Sequence, residues 1–307
     1  MPSNQYPLLF IGQPLLDISA VIDEGLLKKY GLEANNMILA ADEHRPLYKE
    51  LEDHFPSYLA GGSEANTARG AQWLLPAGST GYIGCVGNDS GAEKLKEAAA
   101  ADGLAAHYIT EPELPTGKCA VLISGHNRSM VTDLQASAAL KESHLRNEKI
   151  WRLVEGSKII YSSAFCLKDS LDALLAVAKH ASLTEKTFAF NLSAPWIPEV
   201  CRSQLASVLP YCDFLFGNES EARAYAKAND LKTTDVAEIA LHLASLPRIN
   251  SSRPSRIVVI TQGSDPVVVA TKDGVREYQV PKIPVEQIVD TNGAGTGSAV
   301  DSLLLSC

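Results

Sequence analysis

The sequence predicts an α/β protein, with a doubly wound, mostly parallel sheet flanked by helices and a small β-rich lid. Two observations support this fold class. Short apolar runs alternate with amphipathic segments of helical period through much of the 307-residue chain, which indicates βαβ units around a parallel sheet. Two regions break the alternation with shorter, strand-like runs. We expect these regions to form a separate small sheet.

The runs predicted as strands of the main sheet are Leu8–Ile11, Gly81–Val86, Lys158–Tyr161, Phe188–Leu192, Phe214–Phe216 and Ile257–Thr261. The segments predicted as helices are Glu64–Leu75, Gly91–Ala101, Asp169–Ala181, Glu219–Ala228 and Asp235–Leu246. The lid strands are predicted to be short and antiparallel, at Leu15–Ile22, Asn36–Ala40, Lys118–Ile123 and Ser129–Leu134. No repeat or low-complexity linker is visible. We therefore expect a single unit over 1–307, with the lid formed by about 15–62 and 116–137 and the large domain by the remainder.

Composition narrows the class of partner. A net charge of −9 and a pI near 5.3 argue against nucleic acid as the main partner. No stretch approaches the ~20 apolar residues of a membrane span, and no secretory signal pattern opens the sequence. The six cysteines form no CxxC pair, and the seven scattered histidines predict no zinc site. We expect reduced thiols in a monomeric cytoplasmic protein, for which nuclear presence would also fit.

The string Asp290-Thr291-Asn292-Gly293-Ala294-Gly295 is the strongest functional signal. It follows a β-rich stretch and precedes the apolar segment Ala299–Leu305. Its glycines would let the backbone approach a ligand closely, and the N–H groups of a helix start stabilise negative charge. The alternative is a turn that only caps a helix, but six specified residues favour an anion site.

Two further strings lie where the first strand ends and where the first long helix begins. Asp17 closes the string that starts at Gly12, and its carboxylate could accept hydrogen bonds from two adjacent sugar hydroxyls; the alternative is a solvated turn. Gly61 and Gly62 permit close approach to a ligand. Ser63 is a predicted N-cap, with Asn66 one turn further on the same side. By itself this second string is also compatible with a simple helix cap.

Asn218 and Glu221 follow the strand Phe214–Phe216 and lie three residues apart, so both reach one face of a helix. An amide and a carboxylate suit hydrated Mg²⁺, whereas the alternative is a capping box. Thr261 and Gly263 close the next strand and suit a nucleotide. The chain contains neither a GxxxxGK[ST] loop nor the protein-kinase motifs.

Taken together, these strings resemble the ribokinase superfamily of carbohydrate and nucleoside kinases, and within it the adenosine-kinase branch. The strings that carry the resemblance are GQPLLDISAV (12–21), ILA (38–40), AGGSEAN (60–66), GCVGND (84–89), PTGKCA (115–120), NRSM (127–130), NLSAP (191–195), LFGNESEA (215–222), TQG (261–263) and DTNGAG (290–295). They occur in order over nearly the whole chain. Another sugar kinase of the same superfamily is the alternative within this class.

The resemblance implies a role for each matching residue. Asp17 would hold the ribose hydroxyls beside Gly61, Gly62, Ser63 and Asn66, with Gln13 at a position where the family usually has Asn. The purine slot would comprise Leu39, Leu134, Ala136 and Phe165, or Cys166 one residue on. Arg128 would approach the transferred phosphate, Asn218 and Glu221 would organise Mg²⁺ through water, and Asn191, Thr261, Gly263 and Asp290 would line the ATP site. The anion hole would be Gly293, Ala294 and Gly295.

The implied reaction is transfer of the ATP γ-phosphoryl group to the 5′-hydroxyl of adenosine, with Mg²⁺ as cofactor. One departure affects this reaction directly. The family has its catalytic Asp where this chain has Thr296, and the following residues through Cys307 do not resemble the family. We therefore expect a C-terminus that is altered and truncated, and impaired catalysis, since Thr has no pKa suited to general-base work. A non-catalytic nucleoside-binding isoform is the alternative.

Overall fold

The computed structural model describes residues 6–34, 36–54, 57–125, 127–249, 254–284, 287 and 299. Its strands are β1 (Leu8–Ile11), β2 (Leu15–Val21), β3 (Met37–Leu39), β4 (Tyr58–Gly61), β5 (Thr80–Val86), β6 (Ala105–Thr110), β7 (Lys118–Ser124), β8 (Asn127–Asp133), β9 (Ile159–Ser163), β10 (Thr187–Asn191), β11 (Phe214–Asn218), β12 (Ile257–Gln262), β13 (Asp265–Thr271) and β14 (Gly274–Tyr278). Its α-helices are α1 (Glu24–Lys29), α2 (Arg45–His54), α3 (Ser63–Leu74), α4 (Ser90–Ala101), α5 (Glu142–Leu145), α6 (Glu148–Gly156), α7 (Leu171–Leu183), α8 (Ile197–Val200), α9 (Arg202–Val208), α10 (Glu219–Ala228) and α11 (Val236–Ser245).

Nine strands form the large sheet, in the order β14-β13-β12-β11-β10-β9-β1-β5-β6. The seven strands from β12 to β6 pair in parallel, and β13 and β14 add an antiparallel hairpin at one edge. After β1, the chain adds β5 and β6 on one side of that strand, and it later adds β9 to β12 on the other side. Such a reversal opens a crevice beyond the carboxyl ends of the strands, which is where the candidate site lies.

The large sheet is covered on both faces, as the alternation along β1 illustrates. Leu9 and Ile11 belong to a core that includes residues of α7, α9, α10 and α11, whereas Leu8 and Phe10 belong to a core with the alanines of α3. Both faces of β1 are therefore apolar, which explains why its sequence reads as a continuous hydrophobic run. The predicted fold class is confirmed.

The smaller sheet has the order β3-β8-β7-β2-β4, and the prediction of purely antiparallel strands there is wrong. β2 pairs in parallel with β7, and β3 with β8, while β2–β4 and β7–β8 are antiparallel. The physical reason is the path of the chain. β2 and β7 both leave the large body and run side by side in one direction, whereas β4 and β8 return to it.

One face of the smaller sheet is buried and the other lines a cavity. Ile18 and Ala20 on β2 pack with apolar residues of α1 and α2, whereas Leu15 and Asp17, on the alternate side, face the cavity. This alternation follows from the two-residue period of a strand. It places a carboxylate in the cavity wall without burying it in the core.

Most predicted elements lie within one or two residues of the observed ones. The sequence reading missed β4, β6, the β13–β14 hairpin and several short helices, since their burial patterns are mixed or half-exposed. The five described cysteines are free and buried, as predicted. Among the described helices, none has both the length and the apolar character that crossing a membrane requires.

Candidate active site

A cavity of about 740 Å³ lies between the smaller sheet and the carboxyl ends of β1, β9, β10 and β11. Its wall brings together distant parts of the sequence. Twelve of the residues predicted for the site line it, namely Gln13, Asp17, Leu39, Gly62, Ser63, Asn66, Arg128, Leu134, Phe165, Asn191, Asn218 and Glu221. The strand ends thus assemble one site from segments that are up to about two hundred residues apart.

The other predicted residues do not line this cavity. Gly61 lies directly behind the Asp17 carboxylate, and Ala136 is fully buried. Thr261 lines a neighbouring cavity of about 50 Å³ together with Asn191, Asn218 and Glu221, and Gly263 lies in the exposed turn between β12 and β13. The predicted residues Asp290, Gly293, Ala294, Gly295 and Thr296 lie outside the described part of the chain.

Asp17 is the most prominent charged group in the cavity wall. Within the described residues its carboxylate accepts no hydrogen bond from the protein, although the positive charges of Arg128 and Arg69 act on it. Burial raises the pKa of Asp17 to about 7, and the two arginines oppose that rise. A partly buried carboxylate without hydrogen-bond donors is costly. Asp17 is therefore suited to accept hydrogen bonds from a ligand.

The turn into α3 brings backbone close to Asp17. Gly62 has φ of 98°, and a side chain at this position would collide with the carbonyl oxygen of Gln13. Only glycine satisfies both conditions. Ser63 is not the N-cap that the sequence predicted: Gly62 occupies that position and no side chain caps the helix. The helix therefore begins one residue earlier than predicted, at Ser63.

Arg69 and Asn66 extend the site along α3. Arg69 forms an ion pair with Asp102 and donates to the carbonyl oxygen of Ala60 (3.0 Å) and to Oδ1 of Asn66 (3.4 Å). It therefore ties α3 to the end of β4 next to Asp17. The sequence reading overlooked Arg69, although its spacing of three from Asn66 places both on one helix face.

An aromatic pair forms an apolar part of the cavity wall. The rings of Phe165 and Trp196 lie 6.5 Å apart at an angle of 46°, and both line the cavity. Cys166, the alternative to Phe165, is 2% exposed and belongs to the core. Trp196 was not predicted, but it follows β10 closely, where ligand contacts are expected.

Asn218 and Glu221 form the capping box that the sequence reading held as the alternative to a metal site. Oε2 of Glu221 accepts from the backbone N–H of Asn218 (3.0 Å), and Oε1 accepts from Nδ2 of Asn218 (2.9 Å). In return, Oδ1 of Asn218 accepts from the N–H of Glu221 (2.9 Å). Burial raises the pKa of Glu221 to about 7, against the hydrogen bond from Asn218. Each oxygen of the Glu221 carboxylate keeps a lone pair that can accept a hydrogen bond from a water bound to Mg²⁺. Asn218 and Glu221 therefore fit a hydrated Mg²⁺, which keeps several of its waters.

A second group of metal-type ligands lies elsewhere, where Cys85, Glu111 and His144 come within 4.8 Å of one another. Nδ1 of His144 accepts from the backbone N–H of Lys141 (3.2 Å), and Nε2 lies 3.1 Å from Oε1 of Glu111. In the neutral ring, Nε2 therefore carries the proton and donates to Glu111. This arrangement holds a hydrogen bond where a metal would need a lone pair.

The comparisons with known proteins agree with the family resemblance that the motifs indicate. The model of the pfkB family carbohydrate kinases matches residues 26–295. Adenosine kinase 2 of Arabidopsis thaliana is 43% identical over 290 residues, which cover 94% of this chain and 84% of the relative.

Two of the solved structures that match over nearly the whole chain illustrate the likeness. Anopheles gambiae adenosine kinase in complex with P1,P4-di(adenosine-5) tetraphosphate superposes with a TM-score of 0.92 at 43% identity, covering 98% of this chain and 90% of that one. Adenosine kinase from Schistosoma mansoni in complex with adenosine and AMP has a TM-score of 0.87 at 33% identity, covering 96% and 87%. The likeness therefore includes both sheets as well as the motifs.

Proposed function

Because the chain belongs to the pfkB family of carbohydrate kinases and, within it, to the adenosine kinases, we propose that it binds adenosine and directs its 5′-hydroxyl towards the γ-phosphoryl group of ATP, giving AMP and ADP. The resemblance inferred from its motifs is confirmed at the level of the family. An ATP-dependent phosphotransferase is thus the enzyme class, and adenosine is the acceptor that we propose.

The choice of adenosine as the acceptor rests on one observation, the environment of the Asp17 carboxylate. This carboxylate has no hydrogen-bond donor from the described protein, and it lies in the same cavity wall as Gly62 and Asn66. Two adjacent hydroxyls of a ribose would supply the missing donors, and charge-assisted hydrogen bonds of this kind are strong. The purine would then lie between Phe165 and the smaller sheet, which we propose acts as a lid that excludes water.

The phosphate end of the proposed site lies at β11. Asn218 and Glu221 would hold a hydrated Mg²⁺, which neutralises charge on the β- and γ-phosphates when it is bound. Arg128 on β8 faces the same cavity from the lid side, and we propose that it approaches the transferred phosphoryl group. Asn191 and Thr261 would line the neighbouring space for ATP.

Catalysis in this chain is proposed to be weak, on the grounds of one residue. The family's base position holds Thr296, and a hydroxyl cannot take a proton at neutral pH as a carboxylate does. Loss of a general base alone lowers the rate by about 10²–10⁴-fold. Positioning of adenosine does not require the base, so binding is expected to survive.

Two measurements on the same preparation test the proposal. Titration calorimetry should detect adenosine binding, and an AMP-formation assay with Mg²⁺ and ATP should give a rate well below that of the Arabidopsis relative measured in parallel. Thr296→Asp alone should recover little activity, because the residues that follow it also depart from the family, whereas replacing residues 296–307 with a family-like segment that begins with Asp should recover much more. Turnover equal to that of the relative would contradict the impaired-catalysis proposal, whereas absence of adenosine binding would contradict the substrate. Adenosine binding without any turnover, even after replacement of residues 296–307, would favour the non-catalytic isoform.

We further propose that the chain acts as a monomer in the cytoplasm. Size-exclusion chromatography with light scattering would measure the mass in solution, where a value near the 32.9 kDa of one chain is expected.

A further inference from the structure

Glu64 is a buried carboxyl group that the proposed reaction does not use. It lies in the first turn of α3 and is only 1% exposed. Its Oε1 accepts from the hydroxyl of Ser163 at the end of β9, and the thiol of Cys166 lies 3.7 Å away. Glu64 therefore connects the helix that borders Asp17 with the segment that carries Phe165.

The same carboxyl group also reaches the turn between β1 and β2. It is packed against Gly12, where any side chain would collide with it. Three elements, β1, α3 and β9, thus meet at a single side chain. Burial raises the pKa of Glu64, and the hydrogen bonds from Ser163, the backbone and Cys166 oppose that rise.

Gln13, which follows Gly12 in the same turn, has an unusual side chain. It is 5% exposed, yet its Nε2 has no hydrogen-bond partner within the described structure. The residue lines the cavity beside Asp17 and Gly62. A buried amide donor without a partner is costly, so an acceptor atom of a ligand is the natural way to satisfy it.

We propose that Glu64 is a positioning residue that fixes the Gly12–Gln13 turn and so directs the Gln13 amide to an acceptor oxygen or nitrogen of the bound nucleoside. This inference rests on the proposed function, since adenosine supplies the acceptor. Glu64 lines the cavity, and the role assigned to it is positional. It acts through its contact with Gly12 on one side and is held in place by Ser163 on the other.

A double-mutant cycle tests this role, with adenosine affinity as the readout. Gln13→Ala should raise the adenosine Kd about tenfold, because it removes the donor. Glu64→Gln keeps the volume but replaces one acceptor oxygen by an NH₂ group, and it should also raise the Kd about tenfold by releasing the turn. If Glu64 acts through Gln13, the double variant should be little worse than either single one.

Two controls separate positioning from general damage. The affinity for a non-hydrolysable ATP analogue should change less than about twofold in Glu64→Gln, because the other end of the site is untouched. Asp213→Asn is the matched buried-carboxylate control. Asp213 accepts from the N–H of Phe188 at the opposite edge of the sheet, so this variant should lower the melting temperature but leave the adenosine Kd within about twofold.

The outcomes are distinct. Unchanged adenosine binding in Glu64→Gln would overturn the inference, as would a hundredfold, multiplicative loss in the double variant, which would show two independent effects. An equal loss of affinity for the ATP analogue would mark Glu64 as merely structural. If the wild-type chain itself does not bind adenosine, the proposed function fails first and this inference falls with it.

Discussion

The two ends of the cavity use the same chemical group in opposite ways. At the proposed nucleoside end, the Asp17 carboxylate has no hydrogen-bond donor from the described protein. At the proposed phosphate end, both oxygens of the Glu221 carboxylate accept hydrogen bonds from Asn218. Burial raises the pKa of both groups to about 7. Their environments thus have a similar effect on ionisation, while their hydrogen bonding differs.

This difference separates binding from structure. A carboxylate that lacks donors destabilises the folded protein and gains them when a ligand binds, so removing it should harm binding and spare the fold. A carboxylate that caps a helix stabilises the fold before any ligand arrives. Removing such a capping carboxylate should weaken both ligand binding and the stability of the fold. Each expectation below tests one side of this contrast, beginning with the largest effect.

Asp17→Ala is expected to give the largest loss. Removing a charged acceptor of two hydroxyls should weaken adenosine binding by about 2–4 kcal/mol, measured by titration calorimetry without ATP. Asp17→Asn should not lower the melting temperature at pH 8, since a raised pKa means that the charged form destabilises the folded state there. Equal adenosine affinity in Asp17→Ala and wild type would exclude the ribose role.

The pH dependence of adenosine binding should follow the ionisation of Asp17. With its pKa raised to about 7, the carboxylate is ionised above this pH and protonated below it. Because the ionised form accepts hydroxyl hydrogen bonds, the Kd should rise about tenfold as the pH falls from 8 to 6. Asp17→Asn should flatten this profile. A profile that keeps its slope in Asp17→Asn would assign the ionisation to another group, with Glu64 the first to test.

Glu221→Ala probes the satisfied carboxylate at the other end. Loss of the hydrogen bonds that Glu221 accepts from Asn218 should lower the free energy of unfolding by about 0.5–1.5 kcal/mol. This is measured by urea denaturation at pH 5, where the raised pKa of Glu221 keeps the burial cost of its charged form small. The affinity for Mg²⁺·ATP should also fall, while adenosine affinity without ATP should change little. Glu238→Ala on α11 is a control, since Glu238 is another first-turn glutamate, but its side chain does not complete a capping box. If both variants are equally stable, the cap does not contribute.

The sequence predicted the large sheet better than the walls of the site. Strand β1 reads directly from its apolar run because both of its faces are buried. The parallel pairing of β2 with β7 could not be predicted, since it depends on where two distant segments leave the body. Asp17 and Asn218 were predicted because they follow strands. Glu64 and Trp196 were not, because what distinguishes them is the contacts they make across the fold.

The smallest effect is expected from a substitution of Trp196, which lines the cavity beside Phe165. Its indole pairs with Phe165 across the cavity wall, and an aromatic pair contributes about 0.5–1.5 kcal/mol beyond the area it buries. Trp196→Leu should therefore raise the adenosine Kd about two- to tenfold and leave the affinity for an ATP analogue unchanged. Trp151→Leu is the matched control, since Trp151 is also half-buried but packs against His180 and Arg146 outside the cavity. If Trp196→Leu weakens the ATP analogue instead, the aromatic pair belongs to the phosphate end, and the boundary between the two ends must be moved towards Asp17.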